Sequence, residues 1–316
     1  MRVTFLGNAA WSVPSLEHLA SSAHDVALVL TRVPRRAGRR GQLTPTAVAL
    51  AARVLGIALA EVESVRSGPG FDALAASRPD VLAVVAYGEI LPPEVLALPA
   101  VAPINVHFSL LPELRGAAPV QRAILEGRSV TGVTTIRMDE GMDTGPILLQ
   151  TSTQIDDGDD AGSLGTRLAA LGASLFVDTL DALATGRLTK RPQDHERATY
   201  APKVRAEEEI IDWSESATKV VRRVRALAPE PGARTAFRGR ILKVVRASPL
   251  EDRSVRVIPK SERFPGAVAA RSNDGLVVWA GAGAVALDEV QPEGRKRMTG
   301  GEFVRGYRPE VSERLR

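Results

Sequence analysis

The chain has 316 residues, a formal net charge of +4, 44% hydrophobic side chains and no cysteine. Such a length favours two domains with a buried core in each, and the lack of thiols excludes disulfides, cysteine-ligated zinc and a thiol nucleophile. From residue 208 onward 21 Lys+Arg face 15 Asp+Glu, so the basic excess belongs to the C-terminal third and points there to an acidic partner.

The opening Met1-Arg2-Val3-Thr4-Phe5-Leu6-Gly7 reads as a strand entering a turn rather than a leader. No apolar run reaches the roughly 18 to 20 residues of a membrane span, and a cytoplasmic protein without membrane contact is expected. Ser12 to Ser22 predicts a helix with Pro14 in its first turn, and Val26 to Thr31 a second strand, which makes a βαβ opening. Gly7-Asn8-Ala9-Ala10 lacks the G-x-G-x-x-G spacing of a dinucleotide site, so a nicotinamide or flavin cofactor is disfavoured.

Arg32 to Gly41 holds five arginines (Arg32, Arg35, Arg36, Arg39, Arg40) and no acid. With Pro34, Gly38 and Gly41 against a helix, it predicts a loop, either simply solvated or able to grip phosphates. Thr46 to Leu55 and Phe71 to Ser77 follow as helices. Val81 to Ala86 is uninterrupted and apolar, as a parallel strand covered on both faces is. Tyr87-Gly88 marks its carboxyl end, where ligands gather in open α/β sheets, although a plain turn also explains it.

Ile104 to His107 is the next strand, and Asn105 and His107, two apart, share one of its faces. A loop from Ser109 to Gly116 leads into a helix over Ala118 to Glu126. Strands at Thr131 to Met138 and Ile147 to Thr151 bracket the Gly-punctuated loop that carries Asp143, and Ser163 to Ala184 forms a long amphipathic helix. Alternating strands and helices over this half predict a three-layer α/β domain with a Rossmann-like, mostly parallel sheet.

A lone strand histidine is more often structural than catalytic, but this one has an amide beside it. Together they can donate to the oxygen of a carbonyl under attack, and a carboxylate such as Asp143 can hold the imidazole in place. Asp143-Thr144-Gly145 also spells the aspartic-protease triplet. That chemistry needs two carboxylates sharing a proton, and the chain has one such triplet on the wrong kind of fold. One histidine among scattered acids has no metal-ligand spacing, so no metal is expected.

From Arg187 the pattern lapses into polar residues and prolines. We therefore expect a domain over residues 1–186, a linker over 187–207 and a second domain over 208–316. Ile211-Asp212-Trp213-Ser214 opens a helix with Ser214 as N-cap, and Ala217, Val220, Val221, Val224 and Leu227 form its apolar stripe. Beyond Pro231 the period becomes two. Thr235 to Phe237 and Arg240 to Val245 flank the turn Arg238-Gly239, three further short strands follow, and Thr299 to Tyr307 is helical, which suggests a small OB-like β-barrel.

Asn105-x-His107-x-Ser109-Leu110-Leu111-Pro112, Arg115-Gly116-Ala117-Ala118-Pro119, Met138-Asp139-Glu140-Gly141-Met142-Asp143-Thr144-Gly145, Ala86-Tyr87-Gly88 and Ile211-Asp212-Trp213-Ser214 together resemble the methionyl-tRNA formyltransferase family. The resemblance covers nearly the whole chain. It implies the formyltransferase fold, catalysis by Asn105, His107 and Asp143, and 10-formyltetrahydrofolate as co-substrate with no permanently bound cofactor. It also implies a folate site lined by Ser109, Leu110, Leu111, Pro112, Tyr87 and Gly88. Arg32, Arg35, Arg36, Arg39 and Arg40 would then contact initiator methionyl-tRNA, and the protein would act as a monomer. Phe108 stands where the family commonly has Gly and is expected to narrow the pocket beside His107.

Overall fold

The computed structural model describes residues 1–37, 41–250, 263–272 and 275–316. The chain forms two compact units. One comprises Met1–Pro119, Val130–Gln154 and Gly165–Pro202, the other Val120–Ser129, Ile155–Leu164 and Lys203–Arg316. Among the described residues no helix is long and apolar enough to cross a membrane.

The strands of the first unit are β1 (Arg2–Gly7), β2 (Asp25–Arg32), β3 (Arg35–Ala37), β4 (Gln42–Thr44), β5 (Leu59–Val62), β6 (Val81–Val85), β7 (Ala102–His107), β8 (Val130–Arg137) and β9 (Ile147–Gln154). All but β3 and β4 join one seven-stranded sheet in the order β5-β2-β1-β6-β7-β8-β9. The first five in that order are parallel, and β8 alone is reversed, antiparallel to both β7 and β9, so the mostly parallel sheet holds. Every residue of β6 is buried, as its unbroken apolar run requires of a strand covered on both faces. Because β2 lies on one side of β1 and β6 on the other, the topology switches there, and in open α/β sheets ligands bind beyond the carboxyl ends of strands at such a point.

Helices α1 (Val13–Ala20), α2 (Ala47–Val54), α3 (Gly68–Ala76), α4 (Pro93–Leu96), α5 (Pro119–Glu126) and α6 (Ala161–Ala184) connect the strands. The sequence reading missed β5 and α4, each too short to show a period. The arginine-rich segment is not simply a loop: β3 and β4 pair as a hairpin, Arg35 opposite Thr44 and Arg36 opposite Leu43. The composition of Arg32 to Gly41 alone reads as a loop because the pairing strand, Gln42-Leu43-Thr44, lies beyond it.

In the second unit β10 (Ala233–Phe237), β11 (Arg240–Leu250), β12 (Val268–Ser272), β13 (Gly275–Trp279), β14 (Ala284–Pro292) and β15 (Met298–Thr299) make an antiparallel sheet, with α7 (Ala217–Leu227) and α8 (Gly300–Tyr307). Arg238 and Gly239 have φ of 49° and 73°, the left-handed backbone that a two-residue hairpin needs to match strand twist. The expected α7 stripe is buried, in one core with Leu242, Val278, Leu287 and Phe303.

The cap of α7 differs from expectation. Ser216 accepts from the Lys219 N–H, whereas the Ser214 hydroxyl is taken by Asp212 Oδ1 at 2.6 Å. Ser216→Ala is therefore expected to destabilise the protein by about 1 kcal/mol, read as a lower urea midpoint. Ser214→Ala should leave α7 capped.

Arg122 of α5 grips Glu208 through two hydrogen bonds of 2.6 and 3.0 Å. That guanidinium, foremost, lowers the Glu208 carboxyl from 4.5 to about 2. Glu208→Gln is thus expected to be less stable than the wild type at neutral pH. The gap should close as pH falls from about 4.5 towards about 2, because the unfolded carboxyl takes its proton first. Urea midpoints of both proteins across that range measure it.

Candidate active site

β7 carries Asn105 and His107 to its carboxyl end, and alternation along the strand gives them one face. Phe108 turns away from them. Its ring meets Trp11 edge-on at 6.2 Å between centroids, and Gly172 of α6 lies beside it. The expected narrowing of the pocket by Phe108 is therefore corrected: the ring is core.

Asp143 comes back to the same point from the β8–β9 connection, held at a left-handed φ of 54°. Its Oδ1 accepts from Asn105 Nδ2 at 3.2 Å, and its Oδ2 accepts from the Gly116 N–H at 2.8 Å. The same Oδ2 lies 3.6 Å from His107 Nδ1. That is too long for a hydrogen bond but close enough to stabilise positive charge on the ring. On its other side His107 Nε2 meets the Leu114 carbonyl at 2.9 Å. A carbonyl only accepts, so Nε2 carries a hydrogen and Nδ1 is the ring atom turned to Asp143. Both side chains are mostly enclosed, His107 6% and Asp143 16% exposed, which strengthens their mutual field relative to water.

A buried clamp that the sequence reading missed fixes this loop. Gln193 Nε2 donates to the backbone carbonyls of Asp143 at 2.8 Å and Gly145 at 2.7 Å. Its Oε1 accepts from Arg115 Nε at 3.1 Å and Nη2 at 2.7 Å. Arg115 and Gln193 are 2% and 5% exposed. A single Gln in a polar stretch that reads as linker gives no local signal.

Asn8 was missed for a similar reason. Its Oδ1 accepts from the Thr31 hydroxyl and the Arg32 N–H, both at 2.9 Å, and its Nδ2 donates to the Tyr87 carbonyl. One side chain thus ties the ends of β1, β2 and β6 at the switch point. Tyr87 is buried beside the exposed Gly88, whose φ of 77° suits a residue without a side chain. Burial first, and then the Glu89 carboxylate, push the Tyr87 phenol up, which keeps it neutral.

Within Ser109 to Pro112, Ser109 and Leu111 are buried, whereas Leu110 and Pro112 are half-buried. Thr134 fastens the turn, its hydroxyl donating to the Ser109 carbonyl at 2.6 Å and accepting from the Leu111 N–H at 3.1 Å. Arg32 is partly buried, with Nη2 3.8 Å from Glu89 Oε2. Arg35 and Arg36 are exposed on β3; Arg39 and Arg40 lie outside the described residues. The structure thus gathers Asn105, His107 and Asp143 at one point, with Tyr87 and Gly88 after the adjacent strand β6.

Comparison with known proteins bears on this geometry. The pattern described as Formyl transferase matches residues 1–180, and that of the Formyl transferase C-terminal domain residues 203–308. A methionyl-tRNA formyltransferase of Pelotomaculum thermopropionicum is 40% identical, covering 97% of this chain and 96% of its own. One from Aromatoleum aromaticum is 42% identical over 100% and 97%. Among solved structures, HypX from Aquifex aeolicus in complex with tetrahydrofolic acid matches with a TM-score of 0.64 at 19% identity, over 97% of this chain and 48% of its own, a likeness of fold. Identity at this level over nearly the full length of both partners places the chain in the methionyl-tRNA formyltransferase family.

Proposed function

We propose that the protein transfers the formyl group of 10-formyltetrahydrofolate to the α-amine of methionine esterified to initiator tRNA, giving N-formylmethionyl-tRNA for translation initiation. The convergence of Asn105, His107 and Asp143 at one point is the observation that supports this most directly. The amine attacks the formyl carbon, and negative charge builds on the formyl oxygen. Asn105 has two amide hydrogens, one of which goes to Asp143, so the other can meet that oxygen. His107, when charged, presents an N–H at Nδ1 to the same region, because Nε2 is engaged with Leu114. Asp143 balances that charge and takes the proton the amine loses. Collapse of the tetrahedral intermediate expels the folate nitrogen, which takes up the proton held by Asp143 and leaves as tetrahydrofolate.

On this reading the first unit, which runs through Pro202 rather than ending at residue 186, carries the chemistry, and 208–316 hold the RNA backbone, in a cytoplasmic monomer. Ser109 to Pro112 with Tyr87 and Gly88 line the folate site, and the arginine hairpin approaches the acceptor end. Incubation with charged initiator tRNA and 10-formyltetrahydrofolate should yield N-formylmethionyl-tRNA. Formylation of a nucleotide-linked amino sugar instead, or of nothing, overturns the proposal. Replacing Arg35 and Arg36 with alanine should weaken tRNA binding and flatten the plot of log affinity against log salt by about one unit for each phosphate that is no longer neutralised.

A further inference from the structure

We infer that Met142 and Tyr200 form an apolar subsite for the side chain of the amino acid being formylated, so that this chain selects methionine by direct contact. The inference rests on the function proposed above and adds to it the residues that read the acyl group.

An attacking amine must come within about 3–3.5 Å of the formyl carbon, which places it beside Asp143 and the Nδ1 edge of His107. The amino acid's Cα is one bond further on, and its side chain begins there. The protein surface next to Asp143 on the acceptor side is therefore what that side chain meets.

Met142, 55% exposed, directly precedes Asp143; other large apolar residues of this unit, Leu43 and Ile90 among them, are exposed as well but do not adjoin a proposed catalytic residue in the chain. Its sulfur lies 3.6 Å from the point where a Cβ on residue 116 would stand, and the Ala201 carbonyl lies 2.9 Å from that point. Gly116 is the residue whose N–H holds the Asp143 carboxylate. Its φ of 116° and that carbonyl keep a side chain out, so the sulfur lies over bare backbone.

The segment contributing Ala201 also contributes Tyr200, whose backbone bridges Arg115 and whose residue is 66% exposed. A single exposed apolar residue needs no explanation. Here Met142 lies over the glycine that anchors the proposed proton acceptor, and Tyr200 directly precedes the residue whose carbonyl closes on that glycine. A flexible, polarisable thioether packs well along an unbranched apolar chain and poorly against a charged or very short one. Discrimination by one such contact is worth about 10- to 200-fold.

The test uses the full-length protein and initiator tRNA charged with methionine, norleucine, alanine or glutamine, measuring kcat/KM for each. The wild type should favour methionine and norleucine. Met142→Ala should reduce the methionine-to-alanine ratio by about tenfold, with the KM for 10-formyltetrahydrofolate unmoved, and Met142→Leu should restore most of the ratio. Tyr200→Ala should shift it in the same direction. A role confined to folding would lower all four substrates together, and that result, or an unchanged ratio, overturns the subsite while leaving the formyltransferase reading intact. If the wild type formylates none of the charged tRNAs, the reading itself fails and the subsite with it.

Discussion

Replacing Asp143 with alanine is expected to reduce turnover at saturating substrates by about 10²–10⁴-fold, the range for removal of a positioned acid–base group. One carboxylate has three duties here. It accepts from Asn105, accepts from the Gly116 N–H and faces the His107 ring. Asp143→Asn keeps the size and an acceptor for one of these contacts but removes the charge opposite the ring, so it should recover little turnover. His107→Ala should fall as far, because it removes the group that balances charge on the far side. Near-wild-type kcat in Asp143→Ala and His107→Ala would take these residues out of the mechanism.

Gln193→Leu is expected to reduce both stability and rate. The substitution nearly conserves volume but strips the Asp143 and Gly145 carbonyls of their donor and leaves the Arg115 guanidinium with His195 as its remaining described side-chain partner. Buried polar groups left unsatisfied cost about 1–3 kcal/mol each, so a decrease of about 2–4 kcal/mol is expected in urea denaturation. Misplacement of a reacting group by about 1 Å is worth up to about 10²-fold in rate, which sets the scale for kcat. Gln193→Glu separates the two effects. It restores an acceptor for Arg115 but offers no donor to the two carbonyls, so stability should recover more than kcat. Equal recovery of both would mean that the clamp does not position Asp143.

The parts of this molecule that were legible in its sequence are those whose cause is local. The burial of β6 follows from Val81-Leu82-Ala83-Val84-Val85, the shared face of Asn105 and His107 from their spacing, and the β10–β11 turn from Arg238-Gly239. The α7 stripe was readable for the same reason, whereas its cap was not. Ser214 and Ser216 are both good caps by type, and the choice between them depends on Asp212 capturing the Ser214 hydroxyl. Contacts that join a side chain to a distant backbone group left no such trace. Asn8 reaches Tyr87, and Gln193 reaches back some fifty residues to Asp143. No periodicity marks such residues, because each works once, through a backbone group at the far end.

The late position of Gln193 has a consequence for how the protein becomes active as it is made. A growing chain that has passed residue 186 already holds every proposed catalytic side chain, but the Asp143 and Gly145 carbonyls still lack the Gln193 amide. Thr199 and Ala201, which secure the turn around Leu114 to Ala118, come later still. Synthesis must therefore run past this tether before these backbone contacts can form.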